Sequence, residues 1–264
     1  MGCGDWIMAT GEARALKAAE PDARILIGDG RIPHWEPWFA GNPDLSDPRE
    51  LTAGTPVRWV ISCAGARPYL DYDKTTATHQ AFRTDYRPKP GRIVLHERWY
   101  AEAERLKSVA KVRGAYVVIE PVTKGGFGGN KIWPKDRWEA LVRSAGDIQF
   151  VQIGAPQAPT ISGMRRVPTA NIQTAFAVLS KAAAVVTTDG ALHHAAASFG
   201  VPAVVLWGAR VRPHILGYAA QRNIYTGNGT DCGAIVPCPH CAEGMKAIAP
   251  ADVLRELRCA LSSR

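Results

Sequence analysis

The chain has 264 residues, 46% of them hydrophobic and 21% charged, enough to bury one large core or two modest ones. No apolar run approaches the roughly 20 residues of a membrane span, and the opening MGCGDWIMATGEAR lacks the basic flank and apolar centre of a signal peptide, so a cytoplasmic location is expected. The formal net charge of +8 suits an anionic partner such as a nucleotide, a phosphorylated glycan or nucleic acid; a solvated basic surface explains it equally well. Six cysteines in a chain of this length read as reduced thiols rather than a disulfide framework.

In chain order, MGCGDW reads as a loop that places Asp5 outside regular structure, followed by a helix to about Ala19. Ala23 to Ile27 and Val57 to Cys63 read as short strands, separated by a Pro-, Gly- and Trp-rich segment with a helical piece near Trp38. Arg67 to Pro90 shows no clear periodicity, and Pro88, Pro90 and Gly91 mark a break. Glu97 to Lys111 carries apolar residues at helical spacing. Tyr86 to Arg113 holds eight Lys/Arg against three Glu, next to an expected domain boundary that divides 1–112 from 113–264.

Beyond Gly114 the texture becomes regular. Tyr116 to Glu120 is a strand, KGGFGGNK a glycine-rich loop, Asp136 to Ala145 a helix, Ile148 to Ile153 a strand and Asn171 to Lys181 a helix. The stretch TTDGALHHAAASFGVPAVVLWG then reads as strand end, turn, helix, turn and strand, and a helix from Pro250 to Leu261 closes the chain. Strands alternating with helices imply an α/β fold with a parallel, doubly wound sheet.

Two segments suit phosphate chemistry. Where the strand before Asp189 gives way to a helix, the N–H groups of Gly190, Ala191 and Leu192 and the helix dipole favour an anion, with His193 one turn along. The plainer alternative makes Asp189 a helix cap and His193 a packed side chain. The loop from Lys124 to Lys131 has four glycines between two lysines, which lets backbone approach a diphosphate while a lysine neutralises it. It is neither a Walker A loop nor GxGxxG, and a plain surface turn explains it as well.

Together these segments resemble glycosyltransferase family 9, the heptosyltransferase-like enzymes. T-D-G-A-L-H-H-A-A-A followed by G-V-P-A-V-V-L-W-G is similar to the family's donor segment, D-[ST]-G-x-x-H-x-A-A-A and G-x-P-x-V-x-L-[FWY]-G. N-K-I-W-P-K-D-R-W resembles its K-x-W-P-x-x-x-[FW], and G-D-W-I-M-A-T with P-D-A-R-I its N-terminal G-D-x-[LI]-x-[TS] and P-x-A-x-I. The tail C-P-H-C-A-E-G-M-K-A-I resembles C-x-x-C followed by C-M-x-x-I.

The resemblance implies two Rossmann-like domains facing a cleft, the B-type glycosyltransferase fold, with a reduced N-terminal domain on the acceptor side. It implies an inverting, metal-independent transfer from a nucleotide-diphosphate sugar, an ADP-sugar being favoured, to a hydroxyl of a lipopolysaccharide-type glycan. No cofactor is implied beyond that co-substrate. Asp5 matches the family's catalytic base, Lys131 its donor-phosphate lysine, and Gly190 and His193 its phosphate-binding turn. Thr188 stands at the family's aspartate and Asp189 at its serine or threonine, an exchanged pair. Gln157 stands near where relatives place an acid that grips the ribose. The strand the family places before G-D has no counterpart, since Met1 stands three residues before Gly4. Either the start is misassigned, the chain is truncated, or another strand substitutes.

Other readings stay open. The basic charge and short N-terminal half also suit transfer onto a modified DNA base, or a non-catalytic relative that binds a sugar nucleotide or nucleic acid. The B-type fold is shared by nucleotide-sugar 2-epimerases, which the Gly4-Asp5 and Lys131 segments fit less well. A membrane surface remains open as a partner. Cys232, Cys238 and Cys241 read as reduced structural cysteines at a loop corner rather than a zinc site, because the family's further cysteine position is Gly244. Five of the eight Trp fall in the N-terminal half, with core packing as their default role.

Overall fold

A computed structural model of the chain describes residues 2–121 and 127–262. The first helix, α1 (Cys3–Ala19), begins where the sequence suggested a loop. Gly2 takes the N-cap position in an extended conformation, and Asp5, three residues on, turns back to accept the Gly2 N–H at 2.8 Å. That contact occupies a donor at the helix terminus, so Asp5 lies in the first helical turn. β1 (Ile25–Gly28) and β2 (Arg58–Ile61) pair in parallel, Ile25 opposite Arg58. Between them Pro37–Phe39 forms one 3₁₀ turn that buries Trp38 and Phe39.

After α2 (Glu97–Val109) the chain builds a six-stranded parallel sheet. Its strands are β3 (Val117–Ile119), β4 (Phe150–Gln152), β5 (Arg165–Arg166), β6 (Ala184–Thr188), β7 (Ala203–Trp207) and β8 (Arg222–Tyr225), in the spatial order β5-β4-β3-β6-β7-β8. The helices are α3 (Lys135–Ser144), α4 (Ile172–Ser180), α5 (Ala191–Phe199), the single turn α6 (Pro213–Leu216), α7 (Pro239–Ala247) and α8 (Pro250–Ser262).

Strand alternation divides the core into two layers. Val118, Val185 and Val205 point to a layer with Phe176 of α4, Ala195 of α5 and Ile7 of α1. Val117, Ile119, Val186 and Leu206 point to the other layer, with Trp138 of α3 and Leu257 of α8. Burial on both faces explains why these strands are continuous apolar runs rather than alternating ones. The sequence did not show β5, β8, α6 or α7. The first two are polar pairings at the sheet margins, and the helices lack a clear apolar stripe.

The first layer also contains the N-terminal half. Trp38 meets Phe176 edge to face at 6.0 Å, and α2 packs on α4. α1 packs on β1, β2 and α5, and close backbone approaches seat it further. Thr10 Oγ1 donates to Ile7 O at 2.7 Å and accepts the Arg92 N–H at 2.9 Å. A Cβ on Gly11 would lie 2.2 Å from Lys89 O, and one on Gly91 2.3 Å from Ile7 O.

This contact reverses an ordinary preference. An exposed mid-helix Gly→Ala change gains about 1 kcal/mol of helix propensity, whereas Gly11→Ala forces α1 off the 89–91 segment and is expected to cost about 1–3 kcal/mol net. Urea unfolding decides it: a stabilised variant would show that α1 is not clamped at Gly11.

Candidate active site

The strand order defines where a ligand goes. From β3 the chain winds outward through β4 and β5, then returns to β6 beside β3 and winds the other way through β7 and β8. The carboxyl ends of β3 and β6 flank the topological switch point, the crevice where doubly wound sheets hold ligands. Glu120 follows β3, Thr188 ends β6, and Asp189 and Gly190 come directly after it.

Lys131 reaches this crevice from a short 3₁₀ turn, Phe127–Lys131. Lys124 to Gly126 of the glycine-rich loop lie outside the described residues. Both flanks of Lys131 are anchored. Asn130 Nδ2 donates to Ala234 O at 2.9 Å and Val236 O at 2.8 Å, and buried Trp133 donates to Ile248 O at 3.1 Å while meeting Trp138 edge to face. The lysine Nζ lies 2.5 Å from Asp189 Oδ2.

Arg210, on the loop after β7 and only 4% exposed, brings Nη1 to 3.7 Å from the same Asp189 oxygen. Burial would raise the Asp189 carboxyl, but Lys131 foremost, then His193 and Arg210, hold it well below the usual range. Burial pulls the Lys131 ammonium down, and Asp189 offsets this. Two cations around one carboxylate leave a local surplus of positive charge, which an entering diphosphate would neutralise.

Gly190 caps α5, and its N–H donates to His193 Nδ1 at 3.1 Å. The opposite ring nitrogen pairs with Leu216 O at 3.1 Å, so the neutral Nε2–H tautomer satisfies both contacts. Burial lowers the His193 pKa, in keeping with a neutral ring. His193 thus turns inward and holds the turn in shape. Gln157 lies on an exposed turn beyond β4, braced by Arg166, whose guanidinium donates to the carbonyls of Ile153 and Ala155.

Asp5, on α1, is near enough for its charge to act on Lys131. Tyr69 donates its hydroxyl to Asp5 Oδ1 at 2.5 Å, and Arg67 Nε lies 3.4 Å from Oδ2. Burial first, and Asp5 second, keep the Tyr69 phenol protonated far above its ordinary range. A chain of contacts joins the two sides: Tyr69 stacks on Phe82 at 6.4 Å, Arg210 sits 5.4 Å from the Phe82 ring centre, and Arg210 Nη2 donates to Gln80 Oε1. Gly4 permits the approach, since a Cβ there would lie 2.9 Å from His194 Cδ2 on α5.

Arg67, Tyr69, Gln80, Phe82 and Arg210 were not foreseen from sequence. The available signal was slight: Arg210 follows the donor motif's last glycine, Gly208, by two residues. Two side-chain groups among the described residues have the proximity of metal ligands. One is Asp189 with His193 and His194, whose side chains are committed to the contacts above and, for His194 Nδ1, to the Tyr218 hydroxyl at 2.9 Å; the other is Cys232, Cys238 and Cys241.

A crevice of this make marks the doubly wound nucleotide-binding class. The chain belongs to glycosyltransferase family 9, the heptosyltransferase family, whose profile matches residues 67–237, and it is a glycosyltransferase. Among solved structures it is similar to a glycosyl transferase family 9 protein from Veillonella parvula DSM 2008, with 17% identity and a TM-score of 0.69 over 100% of this chain and 95% of that one. It is also similar to the dodecameric iron-containing glycosyltransferase TibC from enterotoxigenic E. coli H10407, with 15% identity and a TM-score of 0.64 over 100% and 74% of the two chains. E. coli ADP-heptose lps heptosyltransferase II gives 21% identity and a TM-score of 0.49, over 66% of this chain and 54% of that chain. At these identities the first two likenesses speak for the fold alone. No curated protein matches.

Glu120 provides a pH test of the crevice. Burial pushes its carboxyl from 4.5 up to about 7. An acid with a raised folded-state value binds an extra proton when folded, so its stabilising contribution is complete below pH 4.5 and is lost as pH rises through about 7. Glu120→Gln removes that loss. Its melting temperature should therefore rise relative to the parent above pH 7 but not near pH 4.5, with a differential of at most about 3 kcal/mol. An equal difference at both pH values would mean that Glu120 does not titrate in the crevice.

Proposed function

We propose that the chain transfers a sugar from a nucleotide-diphosphate sugar to an acceptor hydroxyl with inversion, using Asp5 as base. The observation that supports this reading is the chain of packed side chains from the Asp5 carboxylate, on α1, through Tyr69 and Phe82 to Arg210 of the cationic cluster at the switch point. Asp5 accepts the acceptor hydroxyl proton as that oxygen forms its bond to the anomeric carbon. The bond from that carbon to the leaving diphosphate breaks on the opposite face. Lys131 and Arg210 then balance the charge that builds on the diphosphate, aided by the N-terminal end of α5. In this reading Asp189 aims Lys131, Thr188 and Gly190 shape the turn, His193 braces it, and Gln157 lies on the nucleoside side. In this reading these two cations balance the diphosphate charge directly, with no divalent metal between protein and diphosphate.

The resemblance and the family support a nucleotide-sugar donor, with an ADP-sugar favoured, and the division near 112/113 separates acceptor and donor sides. No helix among the described residues is long and apolar enough to cross a membrane; a cytoplasmic site of action remains part of the proposal. An open groove of about 770 Å³ lies along α1 beside Glu12 and Leu16, away from the Lys131 cluster. Its walls combine Trp59 and Tyr86 with the cations Arg83, Arg87 and Lys89 and the carboxylates Glu12 and Asp85; Lys89 pairs with Glu12 at 2.8 Å, leaving a small cationic surplus, and Pro68 connects the groove to the Arg67–Tyr69 pair at Asp5. This favours an anionic acceptor, first a phosphorylated glycan of lipopolysaccharide type. The aromatic and basic lining also favours a second reading, a modified base in nucleic acid, whose binding would weaken steeply with salt.

Asp5→Asn tests the assignment with the donor found by thermal shift over ADP-, UDP-, GDP- and CMP-sugars. Transfer should fall about 10²- to 10⁴-fold while the donor-induced rise in melting temperature persists. Retained transfer would remove Asp5 as the base. No transfer by the parent with any donor and either acceptor class would favour the non-catalytic relative.

A further inference from the structure

The three clustered cysteines lie on a segment that the transfer reading leaves without a role. Cys232 is on the loop after β8, Cys238 caps α7 and Cys241 lies in its first turn, and all three thiols are free. Their sulfurs all lie within 4.8 Å of one another, and Cys232 and Cys238 are 3.8 Å apart. A tetrahedral site with metal–sulfur bonds of about 2.3 Å holds its sulfurs about 3.8 Å apart. The cluster therefore already has nearly the edge length of a thiolate tetrahedron.

We propose that Cys232, Cys238 and Cys241 bind one thiophilic divalent cation of the zinc(II) class, and that this cation clasps the 232–238 strap to both halves of the transferase. Three thiolates and one divalent cation carry a net negative charge, which the positive end of α7 stabilises. Three sulfur ligands leave a fourth position for water.

The strap is tied on three sides. Cys232 N and Gly233 N donate to Ala209 O and Arg210 O at 3.0 and 2.9 Å, beside the site arginine. Gln80 N donates to Gly233 O at 2.8 Å and Ile235 N to Thr78 O at 2.9 Å, joining the strap to the N-terminal half. Gly233 has φ +68 and a Cβ there would lie 1.9 Å from Gln80 O, so this crossing demands glycine. Cys238 N donates to Asn130 Oδ1 at 2.9 Å, while Asn130 Nδ2 holds Ala234 O and Val236 O. Asn130 immediately precedes Lys131. Loading the cysteines thus fixes the segment that presents Lys131 and the backbone that carries Arg210.

Cation binding is independent of the transfer reading; its effect on the donor site rests on that reading. The test strips the reduced full chain with a chelator and titrates it with cobalt(II), then with zinc(II). The expected result is one cobalt per chain with thiolate-to-cobalt charge-transfer absorption, displaced by zinc. Loss of that absorption is expected in Cys241→Ser and, should that variant unfold, in Cys238→Ser on the half-buried side. Zinc should also protect all three thiols from alkylation. Substoichiometric binding, a spectrum without thiolate bands, or a Cys232–Cys238 disulfide whose reduction does not restore cobalt binding would overturn the site. Zinc-loaded protein should bind ADP about tenfold more tightly than stripped protein, an ordinary coupling between two sites. Stoichiometric zinc with unchanged ADP affinity would overturn the clasp while leaving the transferase assignment intact.

Discussion

Asp189, a carboxylate buried at the carboxyl end of β6 between Lys131 and Arg210, is the interaction on which the crevice depends. Taking such charges out of water costs several kcal/mol per ion, and a single pair seldom repays it. Here the arrangement is unequal by design of its neighbours: Asn130 and Trp133 fix the lysine's segment, and Gln80 and Phe82 fix the arginine. The carboxylate holds both cations in place without neutralising both. What remains is a preformed, water-poor site of positive potential at the switch point, where interactions with charge are strongest.

The same cluster ties the two halves together. Arg210 belongs to the six-stranded sheet, but its guanidinium contacts Gln80 and Phe82 of the N-terminal half, and Phe82 stacks on the Tyr69 ring that bonds Asp5. The position of Asp5 is further set by backbone contact, through Gly4 against α5 and through Gly11 and Gly91 along α1. Asp5 and the two cations are thus connected by packed side chains. A two-stranded N-terminal sheet is sufficient for this, because α1 draws support from α5 and the 89–92 segment as well as from β1 and β2.

The large elements were legible because their burial leaves an unambiguous pattern. β3, β6 and β7 are apolar on both faces, and Gly200, at φ +66, ends α5 in the left-handed cap its sequence position suggests. β5 and β8 were invisible because Arg165–Arg166 and Arg222–Tyr225 pair through backbone at sheet margins, with little apolar signal. The N-terminal turn misled in an informative way. Gly2, Gly4 and Asp5 have loop composition, yet Gly4 is small because α5 lies against it and Asp5 serves a helix terminus. Within the site, Lys131, Asp189 and Gly190 announced themselves by motif. Arg210, Tyr69 and Arg67 did not, since each acquires its role only through a partner remote in the chain.

The central claim is that the surplus positive charge around Asp189 is the seat of a nucleoside diphosphate. Calorimetric titration of ADP into the parent and into Lys131→Met, at matched ionic strength, addresses it without an acceptor or a turnover assay. Loss of a charge-assisted contact to phosphate should weaken binding by about 1.5–3 kcal/mol, roughly 10- to 150-fold, in a variant that still melts cooperatively. Equal affinity in the two proteins would contradict the account and place the diphosphate elsewhere.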